Sequence, residues 1–301
     1  MRIALYLFAA AQLAAASATA MAQRVPEVAG LVRDGRLSEI SGMAASPSTP
    51  GRFWTHNDSG SPADLYAIDG SGRVQAQLRV TGVRPVDWED MAAFTLDGRS
   101  WLLLADTGDN GGVRPRVELV VVEEPVFPAD AREHVFQSAP AWRVAFRYAD
   151  APHDVEAVGV DTLGETVLLL TKRTTPLQVW SLPLRPRNAG ETVATLIGTL
   201  RAADDVLPTV DFERRLMPGR PTALSISRDA SRAAVLTYNA VWIYDRAPGE
   251  GWAQVFARTP RSYPIALLAQ AEAIAFGADA GTVYVTGERW PVPLLRLDIT
   301  R

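Results

Sequence analysis

The chain has 301 residues, with 30 Lys and Arg against 34 Asp and Glu, a net charge of −4, 48% apolar residues and no cysteine. Such a composition supports a buried core and excludes a disordered or fibrous chain. It also excludes disulfides, thiol catalysis, iron–sulfur clusters and Cys-containing zinc sites, and the lack of any basic run excludes a nucleic-acid surface.

In chain order, Arg2 and an apolar stretch over residues 3–18 are followed by small residues up to Ala22. This pattern predicts a signal peptide over residues 1–22 and an exported chain that is periplasmic or secreted. No later run reaches the ~18 apolar residues of a membrane helix, so residues 23–301 are expected as one soluble domain, monomeric, with no membrane span.

Residues 25–32 read as a lone strand. After it a phrase recurs, an acidic residue leading into a small apolar run, at Glu39, Glu89, Glu156 and Glu272, with a weaker copy at Thr222, where the fourth unit departs from the pattern. Each phrase is followed by a turn rich in Gly, Pro, Asp or Ser and by further apolar runs. The second runs are 52–56, 101–106, 166–171, 233–238 and 282–286. Fourth runs are read at 74–80, 142–148, 192–200 and 252–257, whereas the last unit has none. Four strands per unit of ~40 to 60 residues describes a propeller blade. The expectation is an all-β, five-bladed β-propeller closed by the N-terminal strand, which would pair with residues 294–299 and leave no long free edge. Residues 201–219 are read as a loop between blades, and His134 as a surface loop residue.

The start of a blade's first strand lies beside the end of its second, so one mouth should gather Glu39, Glu89, Glu156 and Glu272 with the ends of the second strands. Those ends hold His56, Asp58, Asp106, Asp109, Asn110, Lys172, Arg173, Glu288 and Arg289. Carboxylates so gathered repel one another unless a cation or protons intervene. Oxygen ligands suit calcium first and magnesium second, and the expected ligands are Asp87, Glu89, Asp106 and Asp109. Lys172, Arg173, Arg289 and His56 are the expected contacts for a small or anionic ligand. Glu39, Asp58, Asn110, Glu156, Glu272 and Glu288 complete the channel mouth. A purely structural role for the repeated glutamates, locking neighbouring blades through backbone amides, is the competing expectation.

The phrases Ser41-Gly42, His56-Asn57-Asp58-Ser59-Gly60, Asp87-Trp88-Glu89-Asp90-Met91-Ala92, Asp106-Thr107-Gly108-Asp109-Asn110 and Gln270-Ala271-Glu272-Ala273 carry a further signal. Together they resemble a family of exported bacterial propellers to which no reaction is assigned. More distantly the chain is similar to the SdiA-regulated propellers, which are associated with calcium, and more loosely to phytase-like propellers. The resemblance implies the fold and a calcium site. Three functions follow as expectations: a metal-dependent hydrolase acting on phosphoesters, a glycoside-active enzyme working with paired carboxylates, or a non-catalytic binding or sensing module of the cell envelope.

Overall fold

The computed structural model describes residues 25–128, 132–186, 191–203 and 219–300. The expected signal segment and most of the expected loop 201–219 lie outside the described residues. Strand β1 (Glu27–Val32) precedes a meander of β2 (Ile40–Ala45), β3 (Arg52–Asn57), β4 (Asp64–Asp69) and β5 (Val74–Val80). The second meander comprises β6 (Trp88–Leu96), β7 (Arg99–Asp106), β8 (Val117–Glu123) and β10 (Trp142–Tyr148), with β9 (His134–Ser138) inserted in the chain before β10. The third comprises β11 (Val155–Asp161), β12 (Thr166–Thr171), β13 (Gln178–Pro183) and β14 (Thr192–Thr199). Strands β15 (Pro221–Ile226), β16 (Arg232–Thr237), β17 (Ala240–Asp245) and β18 (Arg261–Pro264) form the next, and β19 (Ala271–Phe276), β20 (Thr282–Gly287) and β21 (Val292–Asp298) the last.

Neighbours within each meander are antiparallel, and β1 adds antiparallel to β21. Strand β14 lies parallel to β10, which joins the second and third meanders into one eight-stranded sheet. The end strands of that sheet, β6 and β11, return beside each other, and β2, β6, β11, β15 and β19 lie side by side as a ring of inner strands. The architecture is therefore all-β and propeller-like. No helix among the described residues is long and apolar enough to cross a membrane.

Apolar clusters fill the spaces between adjacent meanders, as Trp54, Leu65, Leu78, Trp88, Leu102 and Leu104 do between the first and second. A strand packed on both faces needs no alternation, and every residue of β11 is buried. At the far ends of the inner strands, Ala44, Ala92, Val160, Ile226 and Gly277 surround a void of about 40 Å³. That volume is too small for an organic ligand.

Two expectations are corrected here. Residues 252–256 form the short helix α1 (Trp252–Phe256) and not a fourth strand, which is β18 instead. Trp252, Val255 and Phe256 recur at helical spacing and are all buried, and the Trp252 indole donates to Asp161 Oδ2 at 2.8 Å. His134 opens β9, which adds parallel to the outer edge of β5 and covers it.

Candidate functional site

Each inner strand carries a β-bulge at its start. The pairing register skips one residue between Ile40 and Gly42, Trp88 and Asp90, Val155 and Ala157, Pro221 and Ala223, and Ala271 and Ala273. The extra residues are Ser41, Glu89, Glu156, Thr222 and Glu272, so the recurrent glutamates are bulge residues. A bulge re-aims one side chain out of the alternating pattern. Glu39 is not the counterpart of Glu89. It stands two residues before its bulge, level with Asp87, Asp154 and Gln270, and is exposed.

Facing these positions are the residues just after the second strands. The N–H groups of Asp58, Gly108, Lys172 and Glu288 donate to the carbonyls of Glu39, Asp87, Asp154 and Gln270 at 2.8, 3.2, 3.0 and 3.2 Å. The mouth is thus built from equivalent positions filled differently in each meander. One carboxylate group comprises Asp58, Asp87 and Glu89, with ligand oxygens all within 4.8 Å of one another. A second, Glu89, Asp154 and Glu156, meets the same limit.

Donors are divided unevenly between the two groups. Lys172 pairs with Glu156, Arg173 Nε donates to Asp154 Oδ2 at 2.6 Å, and the Asp109 N–H donates to Asp154 Oδ1 at 2.9 Å. Among the described residues no donor reaches the side chains of Asp87, Glu89 or Glu272. A Cβ built on Gly108 would overlap Glu89 Oε1 and Asp87 Oδ2, so the glycine lets these two carboxylates close in on the backbone where the other meanders place a side chain.

Electrostatics follow the same division. Burial, reinforced by repulsion from Glu156, Asp58 and Asp87, holds Glu89 well above the ordinary glutamate value. Burial does the same to Glu272, with Glu156 adding to it. Asp87 is raised by burial and by Asp58, and Glu288 by burial, Asp58 and Glu39. Burial raises Glu156 against the pull of Lys172. Burial alone would lower Lys172, but Glu156 and Glu272 outweigh it and leave the ammonium raised and charged. Below this layer Asp90 is fully buried, and its carboxylate accepts the N–H groups of Met91, Val158 and Leu224 at 2.8, 2.8 and 2.9 Å. It ties three inner strands together.

The other expected site residues are placed as follows. Asp106 accepts the Val86 and Asp87 N–H groups at 2.9 and 3.1 Å and Arg114 Nη2 at 2.6 Å. Asp109 accepts the Val113 and Arg114 N–H groups at 2.9 and 2.8 Å. Both carboxylates are thus engaged in holding the 107–116 loop and stand outside the two carboxylate groups. Asn110 is exposed and accepts from Arg173, and Arg289 donates to Gln270 Oε1 at 2.8 Å on the rim. His56 is fully buried with its ring edge against Trp88, because Gly42 opposite leaves it room. Sequence reasoning passed over Asp154 and Gly108. The spacing Asp87-x-Glu89 repeated as Asp154-x-Glu156 is the signal that would have found the first.

No family model matches the chain, and no curated protein matches it. Among solved structures it is similar to a nidogen/laminin complex, at 11% identity and a TM-score of 0.43 over 83% of this chain and 73% of that one. It is also similar to a luciferin-regenerating enzyme, at 9% identity and a TM-score of 0.43 over 91% of this chain and 95% of the other. Both are propeller-type folds.

Proposed function

We propose that the chain is an exported five-bladed propeller, each meander one blade, whose acidic mouth holds a divalent cation, calcium before magnesium. Through that cation it binds a small anionic ligand, with phosphoester hydrolysis as the associated activity. The observation that carries this reading is the Asp58, Asp87 and Glu89 group, with oxygens within 4.8 Å of one another and, among the described residues, no donor to the Asp87 and Glu89 side chains. Hard oxygen donors of this kind suit calcium, whose flexible coordination tolerates an irregular set. The resemblance to calcium-associated propellers points the same way.

Charge balance argues for an anionic partner reached through the metal. The mouth carries Glu39, Asp58, Asp87, Glu89, Asp154, Glu156, Glu272 and Glu288, and its cations Lys172 and Arg173 are already paired with Glu156 and Asp154. A free anion would be repelled from such a surface, whereas a bound cation reverses the local sign and polarises a phosphoryl oxygen. Arg173 and Arg289, on the rim, are the side chains such a ligand would meet next.

A cation that binds only the folded chain stabilises it by about 2.7 kcal/mol at a hundredfold excess over Kd. Calcium is therefore expected to raise the melting temperature by several degrees and a chelator to reverse it, with Glu89→Gln abolishing most of the shift. Phosphoester turnover should vanish with the same chelator. An unchanged melting temperature would reject the metal reading and return the carboxylates to a structural role.

The glycoside-active reading draws on one observation, the approach of Glu89 and Glu156 oxygens to within 4.8 Å, near the ~5–5.5 Å separation of retaining glycosidases. Glycoside turnover that survives chelation would favour it.

A further inference from the structure

Where the closing strand meets the turn between β4 and β5, two glycines bring backbone directly against backbone. A Cβ on Gly30 would stand 2.3 Å from the Ser71 carbonyl carbon, and one on Gly72 would stand 2.6 Å from that of Leu31. The Leu31 N–H donates to the Ser71 carbonyl at 3.0 Å across the same contact. Arg33 directly follows β1 and Arg73 directly precedes β5. The close approach therefore sets both on one cleft of about 670 Å³, whose walls include Leu31, Val74, Asp34 and Glu133.

The charges of this cleft are committed unequally. Arg36 Nη2 holds Asp34 Oδ2 at 2.6 Å and Arg36 Nη1 holds Glu133 Oε1 at 2.7 Å, so both carboxylates have a cation. Arg33 and Arg73 are exposed, and among the described residues neither side chain has a hydrogen bond or an ion pair. An adjoining cavity of about 190 Å³ shares Arg73 and Val74 with the cleft and reaches Arg52. The Arg52 guanidinium lies 3.5 Å from the Phe127 ring centroid and gives Nε and Nη2 to the neutral Gln75 Oε1 at 3.2 and 2.9 Å. Its Nη1 is buried and, among the described residues, has no acceptor. The carboxylates that act on it from nearby, Glu124 and Asp69, are occupied by other donors, Ser46, Ser48 and Trp54 on the first and Ser71, Gln75 and the Arg73 N–H on the second. A chain of net charge −4 thus gathers at one place three guanidiniums with donors to spare.

Guanidinium forks match the paired oxygens of phosphoryl and carboxylate groups, and a cleft of this volume is of the size that holds a small organic molecule. We propose that it is a second ligand site, independent of the mouth and of any metal, which takes a small organic anion by its phosphoryl or carboxylate head between Arg33 and Arg73. Arg52 stands at the inner end, and Leu31 and Val74 face the apolar body of the ligand. Because Arg33 follows the closing strand and Arg73 belongs to the first meander, the bound anion fastens the closure of the ring.

Calorimetric titration with phenyl phosphate and with succinate, in metal-free buffer of fixed ionic strength, tests the proposal. Metal-free conditions silence the mouth on the calcium reading, so the two readings fail separately. One saturable site is expected for at least one probe, and the probe that binds identifies the head group. Arg33→Gln and Arg73→Gln should each weaken binding by about tenfold or more, and the double variant should abolish it. Arg99→Gln removes the same charge from an exposed pair with Glu123 and should leave the affinity unchanged. All three arginines are exposed, so the variants are expected to fold. No saturable binding of either probe, or binding that survives the double variant, overturns the proposal. An equal loss in Arg99→Gln also overturns it, because it would mark a general attraction of anions to the surface.

Discussion

Gly42 and Gly108 lack the same atoms for different ends. At Gly42 the space is filled, because a Cβ there would overlap His56 Nε2 and lie 3.0 Å from the Met91 nitrogen. His56 is fully buried and cannot retreat, so Gly42→Ala should cost about 1–3 kcal/mol by overpacking. Chemical denaturation measures the loss, and His56→Ala in the same background should recover part of it. Strict additivity of the two would argue against the contact. At Gly108 the space is taken by the Glu89 and Asp87 carboxyls, which burial raises. The folded chain therefore keeps its protons on Glu89 and Glu272 to higher pH than the unfolded chain does. A raised carboxyl stabilises fully below its unfolded pKa, and the contribution is lost as pH rises through the folded value. His56, lowered by burial, acts in the opposite direction, but above the ordinary histidine value of 6.5 it is neutral in both states. Melting temperature without calcium should accordingly fall as pH rises through neutrality, where Glu156, pushed up to about 7, ionises in the folded chain, and saturating calcium should flatten that fall by replacing the protons. A calcium-free melting temperature that climbs over this interval would show the carboxylates charged and already satisfied.

At the scale of elements, the bulge is the device that matters. A regular antiparallel strand would send the residues at 89, 156 and 272 to one face of the sheet in strict alternation, and the extra residue breaks that rule at the mouth. The closing strand is the other element with a testable role. Strand β1 hydrogen-bonds β21 along its length, Val32 is fully buried, and the Leu31 N–H donates to the Ser71 carbonyl at 3.0 Å, so it also pins the β4–β5 turn. Removal of residues 25–33 would bare the whole edge of β21. Size-exclusion chromatography of that truncation should find oligomer or aggregate, and a monomer with unaltered melting would contradict closure by β1.

For the whole molecule, the ring of inner strands puts residues far apart in the chain at one mouth. Asp90 accepts from Val158 and Leu224 across 68 and 134 positions of sequence, which locks three inner strands around one buried carboxylate. The opposite end is lined mostly by apolar side chains together with Arg228, so the carboxylates of the ring are concentrated at one face. A cation bound there by Asp58 and by Asp87 with Glu89 would join different meanders, and the stabilisation expected from calcium belongs to the ring rather than to one loop.

The strand repeat was legible in the sequence because apolar runs separated by Gly, Pro, Asp and Ser turns leave a periodic trace that needs no tertiary information. The pairing of the N-terminal strand with the last one followed from counting, since the last unit was one strand short. Helix α1 escaped because Trp252, Val255 and Phe256 form an apolar run too short for its period to be read, and β9 because an edge strand added to a finished sheet has no repeat to belong to. The recurrent glutamates were visible, but their placement on bulges was not. A bulge is a property of how two strands register, and in the first meander Ser41 rather than Glu39 holds that position. Which carboxylates stand together was likewise decided by the tertiary structure. Asp106 and Asp109 look like ligands in a linear reading, and only the folded 107–116 loop shows their oxygens taken by backbone N–H groups and Arg114, while Glu89 is left without a donor beside a glycine. Residue type is written in the sequence, but the supply of donors around a buried carboxylate depends on which segments the fold brings within about 3 Å.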